Sequence, residues 1–255
     1  MSDAALNGRT AVITGASRGL GAGLAADFHT RGLRLALCAR GEIPLADAPG
    51  RVFTQRLDVR DASAVEAFAQ EAARRLGPID LWINNAGVLD PIGPMRDVDP
   101  AALRENLEIN VLGVVHGSQS YTRHVRQRGG EGVLINVSSG AGRRPYAGWA
   151  AYCASKAAVD RLTECVQEEE QATGLRAYAV APGVIETAMQ ERIRACSEEE
   201  FPEVERFREL QRTGGLSRPE FVAGELLRIA FDPSSRPTSV EVRLPAEAPH
   251  VRLPR

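Results

Sequence analysis

Short apolar runs alternate along the chain with longer segments in which apolar residues recur every three or four positions. The short runs predict strands over 10–14, 34–39, 52–57, 81–84, 132–138, 176–181 and 240–244. The longer segments predict helices over 20–31, 62–76, 100–128, 150–172 and 219–231. Strands separated in this way by helices are typical of βαβ units. The pattern therefore predicts a doubly wound α/β fold, with a seven-stranded parallel sheet and helices on both faces.

The alternation continues without a linker or an internal repeat, so we expect one domain over residues 1–255. Residues 187–217 interrupt it as two short amphipathic helices that precede the last helix. We call this segment the lid. Residues 246–255 contain prolines and no periodicity, and we expect them to form a loosely held tail.

Composition and charge narrow the classes of partner. A net charge of −2, with both signs spread along the chain, argues against nucleic acid or an anionic membrane. The first residues resemble no signal peptide, and no apolar run approaches the ~18 residues of a membrane span. The four cysteines have neither CxxC spacing nor neighbouring histidines, so we expect reduced thiols and no metal site. These features predict a cytoplasmic protein.

A glycine-rich loop follows the first predicted strand and opens the first predicted helix. Glycine permits a sharp turn and lets a pyrophosphate approach the backbone, where it sits on the helix N-terminus. The order of strand, loop and helix favours this interpretation over a merely structural turn. The sequence thus predicts a Rossmann-type dinucleotide-binding fold. The loop residues expected at the cofactor are Gly15, Ser17, Arg18, Gly19, Leu20 and Gly21.

The end of the second predicted strand indicates which dinucleotide is bound. Enzymes that use the form without a 2′-phosphate usually place a carboxylate there to hold the ribose hydroxyl. Ala39 stands at that position and Arg40 follows it, while Arg18 lies in the glycine loop. Two guanidinium groups are suited to a phosphate through charge-assisted hydrogen bonds. The sequence therefore favours NADP(H), and a solvated surface role for Arg40 is the alternative.

One lysine, Lys156, stands among 31 basic residues, all the others being arginine. An ammonium is a compact charge whose pKa responds to its surroundings, whereas a guanidinium stays charged. Tyr152 precedes Lys156 by four residues, so the two share a helix face, and Ser139 precedes Tyr152 by thirteen. Such a set is suited to delivering a proton from Tyr152 to a carbonyl oxygen. Positive charge from Lys156 and the oxidised nicotinamide is expected to lower the phenol pKa, and Ser139 to orient the oxygen.

These motifs, in this order, resemble the short-chain dehydrogenase/reductase family over roughly residues 7–244. The resemblance implies that Asp58 meets the adenine amine and Val59 the adenine ring. It implies that Asn110 interrupts its helix and holds a water that relays protons to Lys156. The remaining residues expected to line the cofactor are Asn85, Ala86, Gly87, Tyr152, Lys156, Pro182, Gly183, Ile185 and Thr187.

Within the family, residues 139–149 and the lid resemble the sepiapterin/benzil reductase-like branch. Tyr146 and Trp149 precede Tyr152 and are expected to flatten against a substrate ring, with ordinary packing as the alternative. Met189 and Ile193 lie four residues apart on the lid and are expected to cover the substrate. The directions of Arg143 and Arg144 stay open.

The favoured function is NADPH-dependent reduction of an uncharged aryl or 1,2-dicarbonyl compound. One alternative is an NAD(P)-linked alcohol dehydrogenase of another substrate class; another is a non-catalytic, nucleotide-sensing protein on the same fold. The helices over 100–128 and 150–172 resemble the pair through which family members dimerise, so we expect a homodimer or homotetramer. The C-terminal residues 237–244 lack the glycine-rich stretch of many members, which leaves the usual C-terminal assembly contact open.

Overall fold

A computed structural model describes residues 6–248 of the chain. Its strands form one sheet in the order β3-β2-β1-β4-β5-β6-β7, and every neighbouring pair is parallel. The strands are β1 Thr10–Thr14, β2 Arg34–Ala39, β3 Val52–Arg56, β4 Leu81–Asn84, β5 Gly132–Val137, β6 Leu175–Ala181 and β7 Glu241–Arg243. The predicted single-domain, doubly wound parallel sheet is confirmed, with strand ends within one residue of those expected.

Eight α-helices connect or cover these strands within the described part of the chain. They are α1 Gly19–Thr30, α2 Ala62–Leu76, α3 Pro100–Leu107, α4 Gly113–Arg128, α5 Ala150–Glu170, α6 Ala188–Arg194, α7 Val204–Arg212 and α8 Pro219–Phe231. The helix predicted over 100–128 is divided, because a π-helical turn over Glu108–Leu112 separates α3 from α4. The two short helices predicted in the lid are α6 and α7.

Alternation along each strand sorts neighbouring residues onto opposite faces of the sheet. Ala11 and Ile13 of β1 face a core shared with α1 and α8, whereas Val12 faces a core shared with α2 and α4. Both faces are apolar, which is why the strands read as continuous hydrophobic runs. Among the described residues, no helix is long and apolar enough to span a bilayer.

A chain of buried polar side chains joins β4, β5 and α5 near the carboxyl edge of the sheet. Trp82 Nε1 donates to Asn84 Oδ1 over 2.8 Å, and Asn84 Nδ2 donates to Asn136 Oδ1 over 2.8 Å. Asn136 Nδ2 in turn donates to Thr163 Oγ1 over 2.9 Å. Buried polar groups are costly when unpaired, so these linked hydrogen bonds fix how α5 lies against the two strands.

Glu247, near the start of the predicted tail, is hydrogen-bonded to the residue that precedes α8. Glu247 accepts hydrogen bonds from the backbone nitrogen of Arg218 over 2.8 Å and from its guanidinium over 2.7 Å. Arg218 is the N-cap residue of α8, so the tail is anchored to the start of that helix. Residues 249–255 of the predicted tail lie outside the described residues.

Two mid-helix glycines allow a test of the buried polar chain. A Cβ at Gly117 would lie 2.0 Å from Asn84 Oδ1 and 2.9 Å from Trp82 Nε1, whereas one at Gly224 meets nothing within 4 Å. Gly117→Ala should therefore lower the free energy of unfolding by about 1–3 kcal/mol. Gly224→Ala should raise it by up to about 1 kcal/mol through helix propensity. Urea unfolding followed by circular dichroism measures both, and equal effects would contradict the packing described.

Candidate active site

The glycine loop after β1 turns directly into α1. Gly15 and Gly19 adopt φ values of +70° and +56°, and a Cβ at Gly21 would lie 2.3 Å from the carbonyl oxygen of Gly15. The N-terminus of α1 has no side-chain cap and no acidic residue in its first turn. Its free backbone N–H groups and dipole suit an anion, so the local geometry fits a pyrophosphate. Leu20 packs against the core and holds the helix in place.

Asn85 supports the same loop from the end of β4. Its Nδ2 donates to the carbonyl oxygens of Thr14 over 2.9 Å and of Gly15 over 3.2 Å. The backbone nitrogen of Ala86 donates to Thr14 Oγ1 over 3.1 Å. The predicted segment Asn85, Ala86 and Gly87 therefore lies beside the glycine loop at the carboxyl edge of the sheet.

The loops after β1 and β2 meet where a 2′-phosphate was predicted. A Cβ at Gly41 would lie 3.6 Å from Cβ of Ser17, so Arg18 and Arg40 extend from adjacent loops. Both arginines are exposed, and Ala39 is the buried last residue of β2. The end of β2 carries no carboxylate, and the preference for NADP(H) stays a prediction.

Asp58 has a partner that the sequence interpretation missed. Arg60 donates to the Asp58 carboxylate through Nη2 over 2.7 Å and Nε over 3.0 Å. These bonds lower the pKa of Asp58, and the charge of Arg40 contributes further in the same direction. Val59 packs against Gly113 and is buried. The spacing of Asp58 and Arg60 was the available signal for this pair.

The segment after β6 reaches the glycine loop from the other side of the switch in strand order. Ile185 pairs with Ser217 as an isolated parallel bridge and is buried, while Gly183 adopts φ +87°. A Cβ at Gly19 would lie 3.3 Å from Cγ2 of Thr187, so this segment meets the glycine loop. Thr187 is thus brought next to the first turn of α1, whereas Gly183 and Ile185 lie beside Ser217 and Pro182 is buried directly after β6.

Ser139, Tyr152 and Lys156 converge at the end of β5. Lys156 Nζ donates to the carbonyl oxygen of Val137 over 2.8 Å and lies 5.6 Å from the centroid of the Tyr152 ring. The Ser139 hydroxyl lies close enough to that of Tyr152 to lower the phenol pKa by hydrogen bonding. Ser139 Oγ also accepts from the backbone nitrogen of Ala141 over 3.2 Å, which fixes its orientation.

Burial is the main influence on the protonation states of Tyr152 and Lys156. Desolvation raises the pKa of Tyr152 to about 12, and the Ser139 hydroxyl offsets part of that rise. Desolvation lowers the pKa of Lys156 to about 8, while the charge of Asp160 acts in the opposite direction. Burial thus outweighs the contribution of Ser139 to the phenol pKa, and the lowering expected from Lys156 and the oxidised nicotinamide stays a prediction. Tyr152 is held as the neutral phenol, the form that donates a proton.

Asn110 lies in the π-helical turn, so the predicted interruption of its helix is confirmed. Its side chain exchanges two hydrogen bonds of 2.8 Å with the backbone of Val88 and donates to Ser155 Oγ over 3.1 Å. A Cβ at Gly87 would lie 3.2 Å from Asn110 Oδ1 and 3.7 Å from Lys156 Nζ. Gly87 therefore lies in the narrow space between Asn110 and Lys156.

The predicted substrate residues cluster with the lid beside Tyr152. Trp149 is 4% exposed, stacks on Phe201 of the lid at 4.3 Å and 8°, and meets Tyr152 edge-on at 5.9 Å. Tyr146 packs against Trp149 at 4.9 Å. Ile193 is buried in the same cluster and Met189 is partly buried against it. Trp149 therefore lies between the lid and Tyr152, and packing contributes to its position.

The two arginines that precede Tyr146 are directed toward glutamates of other elements. Arg143 pairs with Glu241 of β7. Arg144 pairs with Glu203 of the lid over 2.7 Å and lies over the Tyr146 ring at 4.8 Å. Arg206 donates to the Tyr146 hydroxyl over 3.1 Å. The contacts of Arg144 and Arg206 join the lid to the loop after β5, whereas Arg143 is paired with β7.

Similarity to known proteins agrees with this geometry. The model of the short chain dehydrogenase family matches residues 9–198. A benzil reductase ((S)-benzoin forming) from Bacillus subtilis is 33% identical over 86% of this chain and 91% of its own. A cis-4-hydroxycyclohexanecarboxylate dehydrogenase from Sinomonas cyclohexanicum is 34% identical over 89% of this chain and 91% of its own. The crystal structure of the KRED1-Pglu enzyme has a TM-score of 0.80 at 28% identity, covering 92% of this chain and all of that one.

Proposed function

Because the chain belongs to the short-chain dehydrogenase/reductase family, and to its benzil reductase-like branch, we propose that it is an NADPH-dependent carbonyl reductase. Its substrate is an uncharged ketone, best of all an aryl 1,2-dicarbonyl compound, and Tyr152 is the proton donor. The observation that carries this proposal is the convergence of Ser139 with the buried side chains of Tyr152 and Lys156, at the same edge of the sheet as a glycine loop suited to a pyrophosphate.

The proposed roles follow from the positions of the side chains. A nicotinamide held beside these residues would supply the hydride for the carbonyl carbon. Tyr152 holds a phenolic proton at neutral pH and donates it to the carbonyl oxygen as negative charge develops there. The Ser139 hydroxyl stabilises the same oxygen by hydrogen bonding. The ammonium of Lys156 stabilises the phenolate that Tyr152 becomes, and the Lys156 bond to the carbonyl of Val137 holds it in place.

The cofactor preference rests on the adjacent loops after β1 and β2. Arg18 and Arg40 are exposed on two loops that contact each other, and their guanidinium groups suit a phosphate dianion. Ala39 offers no acceptor to a 2′-hydroxyl. Relatives include dehydrogenases named for an alcohol substrate, among them an L-fucose dehydrogenase from Oryctolagus cuniculus that is 29% identical. This favours NAD-linked alcohol oxidation as the second candidate, and the residues at 39 and 40 weigh against it.

The cofactor preference is tested by binding. The unaltered protein should bind NADPH at least about tenfold more tightly than NADH, a difference of about 1.4 kcal/mol. Ala39→Asp combined with Arg40→Leu should invert that order, because a carboxylate accepts from the 2′-hydroxyl and repels the phosphate. Fluorescence titration of each reduced cofactor gives the four dissociation constants. Equal affinities in the unaltered protein would contradict the proposal.

The substrate class rests on the walls of the site. Tyr146, Trp149, Met189 and Ile193 form an aromatic and apolar cluster beside Tyr152, in which Trp149 and Ile193 are buried. Arg143 and Arg144 are engaged by Glu241 and Glu203, so they are directed to protein carboxylates rather than to a substrate anion. An uncharged aryl compound fits such walls. A second carbonyl withdraws electrons from the first and eases hydride attack.

Steady-state kinetics test the substrate class. An aryl 1,2-diketone should show at least about tenfold higher kcat/KM than the matching monoketone, and give one hydroxyketone enantiomer in excess. Trp149→Ala should raise KM for the aryl diketone more than for a small aliphatic dione. Trp149→Phe, which keeps a ring against Phe201, is the matched control and should retain most of the affinity. Efficient turnover of acyl thioesters or sugars in place of aryl diketones would contradict the substrate class.

Assembly through α4 and α5 belongs to the same proposal, with a homodimer or homotetramer in the cytoplasm as the working state. Leu112, which immediately precedes α4, is 46% exposed, and Cys165 of α5 is exposed. Burying these side chains against a second copy would remove apolar surface from water. Light scattering at micromolar concentration should therefore give a mass of two or four chains. A monomer mass would count against this part.

A further inference from the structure

We propose that Asp160 is a positioning residue that acts through Lys156, its buried carboxylate being the counter-ion that holds Lys156 as an ammonium. The inference rests on the proposed function, in which the charge of Lys156 supports proton transfer from Tyr152. Asp160 follows Lys156 by four residues on α5, so both side chains lie on one helix face. They are 7% and 5% exposed, which removes most of the screening by water.

The turn after β5 is built around this pair. A Cβ at Gly142 would lie 2.4 Å from Asp160 Oδ2 and 3.0 Å from the backbone carbon of Lys156. Glycine at this position therefore lets the turn lie directly on α5, against the Lys156 backbone and the Asp160 carboxylate. The contact shields the carboxylate from solvent on the side that faces the end of β5.

The other groups that face Asp160 come from three further elements. Ser138, at the end of β5, points its hydroxyl toward the carboxylate without reaching ordinary hydrogen-bond geometry. Arg143, after the turn, and Glu241, of β7, both act on it, but these two residues pair with each other. Their opposite charges largely offset one another at Asp160. Lys156, on the same helix and not in ion-pair contact with Asp160, is the remaining cation that acts on the carboxylate.

The two charges act on each other in the directions that a counter-ion requires. Burial lowers the pKa of Lys156, and the charge of Asp160 raises it again. Burial and Glu241 raise the pKa of Asp160, whereas Ser138, Arg143 and Lys156 lower it. Each residue thus favours the charged form of the other. Among the described residues, Asp160 is the one charged group that acts on Lys156, so its loss should release the Lys156 proton at lower pH.

The single lysine of the chain makes this directly measurable. Protein labelled with [ε-¹³C, ζ-¹⁵N]lysine gives one side-chain signal, whose titration reports Lys156 alone. The midpoint of the unaltered protein should lie near pH 8. Asp160→Asn should lower it by about one pH unit, and Asp160→Glu should keep it within a few tenths of a unit. Glu164→Gln removes a carboxylate one turn further along α5 and is the matched control, with no shift expected.

A kinetic readout separates this role from a purely structural one. Aryl diketone reduction by NADPH-saturated enzyme should lose activity at high pH, as Lys156 deprotonates. Asp160→Asn should move this loss of activity to lower pH, by the same number of pH units as the NMR midpoint. A merely structural loss would instead lower the rate equally at every pH. Asp160→Ser is the second neutral variant, for use if the amide disturbs folding.

The outcomes are separable from those of the proposed function, because the NMR titration needs neither cofactor nor substrate. An unchanged midpoint in a folded neutral variant, or an equal shift in Glu164→Gln, would overturn the counter-ion role. A midpoint below pH 7 in the unaltered protein would do the same, since no counter-ion would then be supporting the charge. A shifted midpoint in an enzyme that reduces no carbonyl would keep the pair and overturn the proposed function instead.

Discussion

A buried ammonium is the constraint on which the site depends. Lys156 is 5% exposed and hydrogen-bonded to the carbonyl of Val137, so its charge has left water for a mostly apolar surrounding. Such a charge is costly unless neighbouring groups compensate for it. The surrounding residues are arranged accordingly, with a backbone carbonyl on one side, Asp160 one helical turn away and the Tyr152 ring beside it.

The fold meets this constraint by bringing separate segments to one edge of the sheet. The end of β5 provides the carbonyl of Val137 and the hydroxyl of Ser139, while α5 provides Tyr152, Lys156 and Asp160. The buried chain from Trp82 through Asn136 to Thr163 sets the position of α5 against β4 and β5. A shift of that helix would displace Tyr152 and Lys156 together. The stability of the core and the geometry of the site are therefore linked.

Much of this architecture could be predicted from the sequence, because buried parallel strands read as continuous apolar runs. The site motifs were also readable, since Tyr152 and Lys156 lie at a fixed helical spacing. The π-helical turn at Asn110 could not be located from periodicity, because apolar residues continue through it at a similar spacing. The partners of Arg143 and Arg144 lie far along the chain, in β7 and the lid, so only the folded structure reveals them. Asp160 was visible at the helical spacing from Lys156 but was not singled out.

Turnover by the Lys156→Arg variant tests the central claim most directly. Arginine keeps the positive charge but replaces a compact ammonium, whose pKa responds to burial, with a planar group that stays charged. NADPH binding should persist within a few fold, while kcat falls by at least about 100-fold, close to the effect of removing the phenol in Tyr152→Phe. Near-full activity of Lys156→Arg, with Tyr152→Phe inactive, would show that the site needs a positive charge but not this ammonium.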